Sequence, residues 1–449
     1  MVDASLGEIL MTAEKLKWTI VHGEAALRAE RRPTNFLMGY KVNEVRWEPL
    51  GVVAACVSWN YPFHNLLGPI ISAIFAGNGI VIKGSEATAW SSTYFTNIVT
   101  SALTACGHSS NLVQSVVCWP AVANHLTSHS GISHVTFIGS RPVALAVAAS
   151  AATSLTPLCL ELGGKDAAII LDDVRCLERV CSILLRGVFQ NAGQNCIGIE
   201  RIIACEGIYA RLVKMLEPRV RALRVGSALD DGDGVDVGAM ICDSSFTRLE
   251  KLITSAINKG ANLLVGGRAY THPHHPNGHY FRPTLLVDVT PDMAIAQEEV
   301  FGPIMTIMRA ADVEDAIKIA NSTAYGLGSS VFGTNTRQLD QVVAGLQTGM
   351  VAVNDFGVYY AVQLPFGGVK QSGYGRFAGV EGLRALCASK SVSRDRFPAL
   401  FSTAIPRPLD YPVSNAARAW DLCCGVMQLG YGSFWSRRGK GLWDIVRNA

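Results

Sequence analysis

Charge is scarce in this 449-residue chain: Asp, Glu, Lys and Arg make up 17% of it, and the formal net charge is +3. So mild a balance leaves no electrostatic footprint for nucleic acid, and no such partner is expected. Long apolar runs are missing too, although 49% of residues are hydrophobic. The longest, Pro69 to Ile82, is broken by Ser72, Gly77, Asn78 and Gly79, and it falls short of the roughly 20 residues that span a bilayer. Met1-Val2-Asp3 opens on a mixed polar segment, from which no signal peptide is expected. Internal repeats are absent. The twelve cysteines form no regular framework, which in a long chain points to a reducing compartment.

What remains is the profile of a well-buried α/β enzyme of one large or two medium domains, with 43 glycines. Helical spacing of Ile9, Leu10, Ala13, Leu16 and Ile20 predicts a helix over Ser5 to Glu30. A strand is expected over Val42 to Val57, then a helix from Pro69 to Ala76 and a strand from Gly79 to Lys83. Helix Ser92 to Cys106, strand Leu112 to Val117, strand His134 to Ile138, helix Leu145 to Thr153 and strand Leu158 to Leu162 follow. A second unit begins after Gly164. It has strand Ala167 to Leu171, helix Leu177 to Asn191, strand Arg201 to Cys205 and helix Tyr209 to Leu223. Strands Ala261 to Val265 and Phe281 to Val287 come next, and a helix is expected over Glu381 to Cys387. Alternating strands and helices predict a parallel, doubly wound sheet.

Two segments carry chemistry. Cys196 ends Phe189-Gln190-Asn191-Ala192-Gly193-Gln194-Asn195-Cys196, and Glu161 lies upstream in Leu160-Glu161-Leu162-Gly163-Gly164-Lys165-Asp166. A thiol and a carboxylate in Gly-containing turns suggest a nucleophile and a general base. A thiolate adds to a carbonyl carbon. If hydride then leaves to a nicotinamide ring, a thioester remains, and a carboxylate can activate the water that cleaves it. The adduct's oxyanion needs donors. Asn60, in Ser58-Trp59-Asn60-Tyr61-Pro62, offers an uncharged amide for this, and the Cys196 N–H is the natural second donor. The bland alternatives are a buried thiol, a salt-bridged carboxylate and a turn-capping amide. Lys165 is expected to serve structure or tune nearby charges, and Cys159 and Cys205 to be core residues.

These segments, with others in order, resemble the NAD(P)-dependent aldehyde dehydrogenase superfamily. The others are Val81-Ile82-Lys83-Gly84-Ser85-Glu86, Phe137-Ile138-Gly139-Ser140, Glu298-Glu299-Val300-Phe301-Gly302-Pro303, Tyr325-Gly326-Leu327, and Pro365 to Lys370 running to Gly373-Tyr374-Gly375-Arg376. Coverage runs from about Asp3 to about Arg394, and several ordered motifs outweigh any single one. The text around Met1 to Ile9 and Asn354-Asp355-Phe356 is similar to a plant, fungal and protist branch, some of whose members carry membrane anchors.

The resemblance implies an aldehyde-dehydrogenase-like α/β fold. Residues 1–163 are a Rossmann-type NAD-binding domain, residues 164–375 a catalytic domain, residues 376–397 a return and oligomerisation segment, and residues 398–449 a C-terminal extension. It implies NAD-dependent oxidation of an aldehyde, a small-molecule substrate, to a carboxylic acid, with Cys196 as nucleophile, Glu161 as base for deacylation and Asn60 as oxyanion donor. Because Glu161 is present, transfer to coenzyme A is not expected. The cofactor residues it implies are Trp59 along the channel, Lys83 and Glu86 at the adenosine ribose, Gly139 and Ser140 at the pyrophosphate, Leu162, Glu299 at the nicotinamide ribose and Phe301 beside the ring. A carboxylate at Glu86 repels a 2′-phosphate, so NAD is expected over NADP. A homodimer or homotetramer is implied, through a strand over Ala388 to Ser393.

Three features depart from the family. About a hundred further residues usually precede the helix that starts here near Ser5, so a shortened start with exposed apolar surface is expected. The pyrophosphate turn reads Arg141-Pro142-Val143-Ala144, without the family's later glycine. The tail from Pro398 to Ala449 interleaves Trp420, Phe434, Trp435 and Trp443 with Arg437, Arg438 and Lys440. Such content marks an interfacial membrane helix, and packing on its own domain or a partner subunit is the other reading. Together these features place the chain in the cytoplasm or at the cytosolic face of an intracellular membrane. A second functional reading is a truncated, inactive homologue acting as a membrane-associated or interaction protein. The histidines of Thr271 to His279 sit in a Pro- and Gly-rich stretch that reads as a solvated loop, so no metal is expected.

Overall fold

The computed structural model describes residues 2–448 apart from 228, 230, 232–233, 358–359 and 401. It divides into two units, Met1–Ala26 with Pro49–Cys387, and Leu27–Glu48 with Ala388–Ala449. The first unit holds both large sheets.

One sheet has six strands in the order Gly373–Tyr374, Leu158–Glu161, Val135–Ile138, Val52–Cys56, Gly79–Gly84, Val113–Val117. Gly373–Tyr374 pairs antiparallel, and every other pair is parallel. Taken in chain order, the five parallel strands run 3-2-1-4-5, the arrangement of dinucleotide-binding sheets. The central strands are largely apolar: Val53, Ala54, Ala55, Ile80, Ile82 and Val135 are all buried. The order reverses between Val52–Cys56 and Val135–Ile138. The crevice beyond the carboxyl ends at such a reversal is where these sheets take ligands.

The other sheet has seven strands, ordered Asn262–Val265, Thr284–Val287, Ile304–Ala310, Arg201–Cys205, Ala167–Ile170, Gly328–Phe332, Met350–Val353. Only the edge strand Asn262–Val265 pairs antiparallel. Ile169, Ile170, Ile202 and Ile203 are fully buried at its centre. Helix Leu177–Phe189 covers it with Leu177, Val180, Cys181, Leu184 and Val188, one face of a 3.6-residue repeat.

Three expected elements take a different form. The expected strand Val42 to Val57 is two strands, Lys41–Pro49 and Val52–Cys56, in different sheets. Gly51, at φ +108, turns the chain between them. Likewise Phe281 to Val287 splits into Tyr280–Phe281 and Thr284–Val287, because Pro283 has no N–H to continue a ladder. The helix near Glu381 ends at Arg384, and Cys387 already opens the strand Cys387–Asp395.

The first helix, Val2–Leu27, has its faces inverted. The apolar residues that predict it, Ile9, Leu10, Leu16 and Ile20, are exposed, while Thr12, Lys15 and Thr19 are buried. Small and hydrogen-bonded residues allow this. Thr12 and Thr19 hydroxyls donate to the carbonyls of Glu8 (2.8 Å) and Lys15 (2.7 Å), and a Cβ at Gly23 would lie 2.5 Å from the Phe75 ring.

The second unit contains the sheet Glu30–Arg32, Lys41–Pro49, Cys387–Asp395 and two helices, Ala416–Tyr431 and Trp435–Asn448. Asn415 caps the first helix by accepting from the Arg418 N–H. The helices meet at glycines: a Cβ at Gly441 would lie 2.6 Å from the Gly425 carbonyl oxygen. Trp420, Phe434, Trp435 and Trp443 are exposed. Among the described residues no helix is long and apolar enough to cross a membrane.

Candidate active site

Glu161 is the last residue of its strand, so its side chain emerges at the carboxyl edge of the six-stranded sheet. Asn60 follows strand Val52–Cys56 and Gly139-Ser140 follow Val135–Ile138, the two strands that flank the reversal. Lys83 lies at the end of the neighbouring strand, and Glu86 just beyond it. The topology thus gathers residues that are far apart in sequence along one edge.

Cys196 comes from the other side, on the turn after helix Leu177–Phe189. That turn is strained: Asn191, Ala192 and Gly193 have φ of 54°, 54° and 73°. Such conformations persist only where the surroundings impose them. At Gly193 they do, since a Cβ there would lie 2.1 Å from the Gly302 carbonyl oxygen. The turn is further held from outside. Asp3 accepts from Arg186 Nε (2.7 Å) and from Gln190 Nε2 (2.9 Å), and Gln194 Oε1 accepts from the Ile241 N–H (2.9 Å).

The structure brings Cys196, Glu161 and Asn60 together. The Cys196 thiol and the Gly163 N–H lie against the Glu161 carboxyl group. Among the described residues Oε1 of Glu161 has no hydrogen-bond partner. Burial pushes Glu161 up to about 7, against the pull of those two donors. Burial, and then the Glu161 charge, hold the thiol proton on well above its usual range. Asn60 is fixed to the same turn, its Nδ2 donating to the Gln194 carbonyl at 3.1 Å. Cys196, Glu161 and Asn195 line a cavity together with Tyr61, Asn65 and Phe366.

The predicted cofactor residues fall into two groups. Glu299 lies beside the Gly163-Gly164 turn: its Oε1 accepts from the Gly164 N–H at 3.1 Å, and a Cβ at Gly163 would lie 2.1 Å from it. Burial and the neighbouring Glu200 push Glu299 upward. Trp59 and Phe301 meet edge to face, 5.8 Å between ring centroids. Leu162 is buried, its N–H donating to the Ser372 carbonyl (3.1 Å). The second group is Lys83 and Glu86, paired at 3.0 Å, with Gly139 and Ser140 opening helix Arg141–Ala152. Ser140 makes no side-chain cap, and Pro142 removes one backbone donor from the first turn. These residues fit a dinucleotide: a helix start for phosphate, a carboxylate for a ribose, and a glycine turn that a side chain would fill.

Glu200 was not anticipated. It takes the N–H groups of Val300 (2.8 Å) and Phe301 (2.9 Å) and pairs with the buried Lys165 at 2.6 Å. Its neighbour Arg201 is buried and donates to the carbonyls of Lys165, Ile319 and Ala320. Two adjacent charges opening an otherwise apolar strand, Arg201 to Cys205, were the available signal. His272 also differs from a solvated-loop residue: it is buried, and its Nε2 lies 3.0 Å from Asp231. Among the described residues no group of three or more His, Cys, Asp or Glu side chains could hold a metal ion.

A parallel dinucleotide sheet joined to a second α/β sheet, with a thiol and a buried carboxylate between them, defines a nicotinamide-dependent enzyme acting on a carbonyl. The chain belongs to the aldehyde dehydrogenase family, whose sequence profile matches residues 1–392. It is an oxidoreductase that oxidises an aldehyde with a nicotinamide dinucleotide. It is 54% identical to an aldehyde dehydrogenase-like protein of Schizosaccharomyces pombe, over all of this chain and 85% of that one. A succinate-semialdehyde dehydrogenase [NADP(+)] of Mycobacterium avium is 34% identical over 78% of this chain and 71% of its own length. The crystal structure of a Mycobacterium tuberculosis aldehyde dehydrogenase complexed with NAD+ superposes with a TM-score of 0.77, at 33% identity, over 87% of this chain and 76% of that one.

Proposed function

We propose that Cys196 is the nucleophile, Glu161 the general base and Asn60 an oxyanion donor in the oxidation of an aldehyde to its carboxylic acid. The observation that carries this reading is the contact of the Glu161 carboxyl group with the Cys196 thiol, beside an amide fixed to the cysteine turn. The Cys196 thiol gives its proton to solvent, and the sulfur adds to the aldehyde carbon as a thiohemiacetal. The Asn60 Nδ2 and the Cys196 N–H hold the oxyanion. When bound, the dinucleotide supplies the hydride acceptor. With hydride gone, the acyl group stays on Cys196 as a thioester. Glu161 then removes a proton from water, whose oxygen displaces the sulfur and releases the acid. Glu161→Gln is expected to give a burst of reduced nicotinamide near one equivalent and then stall, since the amide cannot accept the water's proton. Steady turnover at the unaltered rate, followed by rapid mixing, would overturn that role.

Trp59, Leu162, Glu299 and Phe301 line the nicotinamide end on this reading, and Lys83, Glu86, Gly139 and Ser140 the adenosine end. Glu86 favours NAD over NADP, and the ratio of kcat/KM for the two measures it. Residues 1–163 are then the cofactor domain, which also supplies Asn60 and Glu161, and residues 164–375 the catalytic domain that carries Cys196. Strand Cys387–Asp395, with its exposed residues, is the segment for self-association as a dimer or tetramer, which light scattering reads directly. The tail's exposed aromatics alternate with Arg437, Arg438 and Lys440, which suits contact with an anionic membrane surface from the cytosolic side. Flotation with anionic vesicles, lost on removing residues 398–449, tests that contact.

A further inference from the structure

Lys15 is a buried cation that the chemistry above does not use. It lies on the inward stripe of helix Val2–Leu27 and is 6% exposed. Its Nζ donates to the Phe377 carbonyl at 3.1 Å. An ammonium has three protons to donate, and among the described residues no carboxylate pairs with this one. Lys165, the other buried lysine among them, is paired with Glu200 at 2.6 Å. A buried charge without a counter-ion is costly, so an unpaired one asks for a purpose. Burial lowers Lys15 to about 8, which leaves it mostly charged at neutral pH.

Lys15 lines the same cavity as Cys196 and Glu161. Its titratable neighbours in that wall do not neutralise it. Glu8 accepts from the N–H groups of Phe63 (2.8 Å) and His64 (3.1 Å) at the start of helix Pro62–Phe75. His64 is held neutral, pushed down to about 3 by burial and then by the Lys15 charge. Its Nδ1 lies 3.0 Å from the Thr12 hydroxyl, whose own proton goes to the Glu8 carbonyl. His64 therefore gives its proton to Thr12 and leaves Nε2 as an acceptor. Gly68 keeps the wall open: a Cβ there would lie 3.9 Å from Lys15 Nζ and 3.8 Å from His64 Nε2.

We propose that Lys15 binds a carboxylate at the far end of the substrate, so that this enzyme takes aldehydes carrying a terminal carboxylate. The inference rests on Cys196, which lines the same cavity, being the nucleophile. A single cation matches a monoanion; a dianionic phosphate would leave charge uncompensated. The position acts on specificity, so its effect belongs in the choice between substrates.

The test uses the full chain with NAD and NADP and pairs of aldehydes of equal length, one ending in a carboxylate and the other in its methyl ester, over several chain lengths. The wild type is expected to prefer one carboxylate member at least tenfold in kcat/KM. Lys15→Met should lower that ratio at least tenfold, chiefly through KM, while Lys15→Arg retains most of it. In the wild type alone, a dicarboxylate should slow alkylation of Cys196 and the corresponding diamide should not. Activity on both members without preference, an equal loss on both in Lys15→Met, or equal protection by dicarboxylate and diamide would overturn the role of Lys15. Failure of every aldehyde to reduce either dinucleotide would instead overturn the reading of Cys196 on which it rests.

Discussion

Asn60 is useful to an oxyanion in only one orientation. Ser58 Oγ donates to its Oδ1 at 2.7 Å, and Asn65 Nδ2 approaches the same oxygen at 3.4 Å. Two donors on Oδ1 turn Nδ2 toward the cysteine turn, where one of its protons meets the Gln194 carbonyl. Asn60→Ala is therefore expected to lower kcat about 10²- to 10³-fold with little change in dinucleotide binding. Steady-state kinetics with a binding titration would check it, and a kcat within twofold of wild type would remove Asn60 from the mechanism. Glu161 adds a pH signature. A base must be ionised to work, so the deacylation rate should climb as pH rises through about 7. Stability runs the other way. The unfolded carboxyl ionises near pH 4.3, the folded one near 7, so raising the pH through that window favours unfolding. Glu161→Gln should then melt higher than wild type at pH 8 while losing turnover.

At the scale of elements, the site depends on turns held from several sides. Glu200 joins the end of one strand region to the Val300-Phe301 backbone and to Lys165. Glu200→Ala leaves Lys165 charged, buried and unpaired, at a cost of about 3–5 kcal/mol. Denaturant titration should show that loss, and a change below about 1 kcal/mol would contradict the assignment. The cysteine and glutamate segments were legible in the sequence because each is a short run of neighbours. Glu200 was not, since its partners lie 35 to 101 positions away along the chain. The first helix was legible in its existence and misleading in its faces. Periodicity reports that a helix has two sides; burial of Thr12, Lys15 and Thr19 depends on what packs against it.

At the scale of the molecule, alternation of strands and helices in the sequence predicts the doubly wound class, and the six-stranded sheet adds what pattern cannot supply, its 3-2-1-4-5 order. That order is why Asn60, Gly139 and Glu161, spread over a hundred residues, share one edge. The breaks at Gly51 and Pro283 were missed because a run of apolar residues does not reveal which sheet each half joins. The tail's two helices were visible only as composition. Their contact at Gly425 and Gly441 depends on absent side chains, which carry no periodic signal.

The account stands most directly on one comparison: reduced nicotinamide formed from an aldehyde by the wild-type chain and by Cys196→Ala, each first shown to be folded and to bind the dinucleotide. The wild type should turn over steadily, and the variant should bind the dinucleotide yet form no product. Turnover by Cys196→Ala at the wild-type rate would contradict the assignment of the nucleophile and the mechanism built on it.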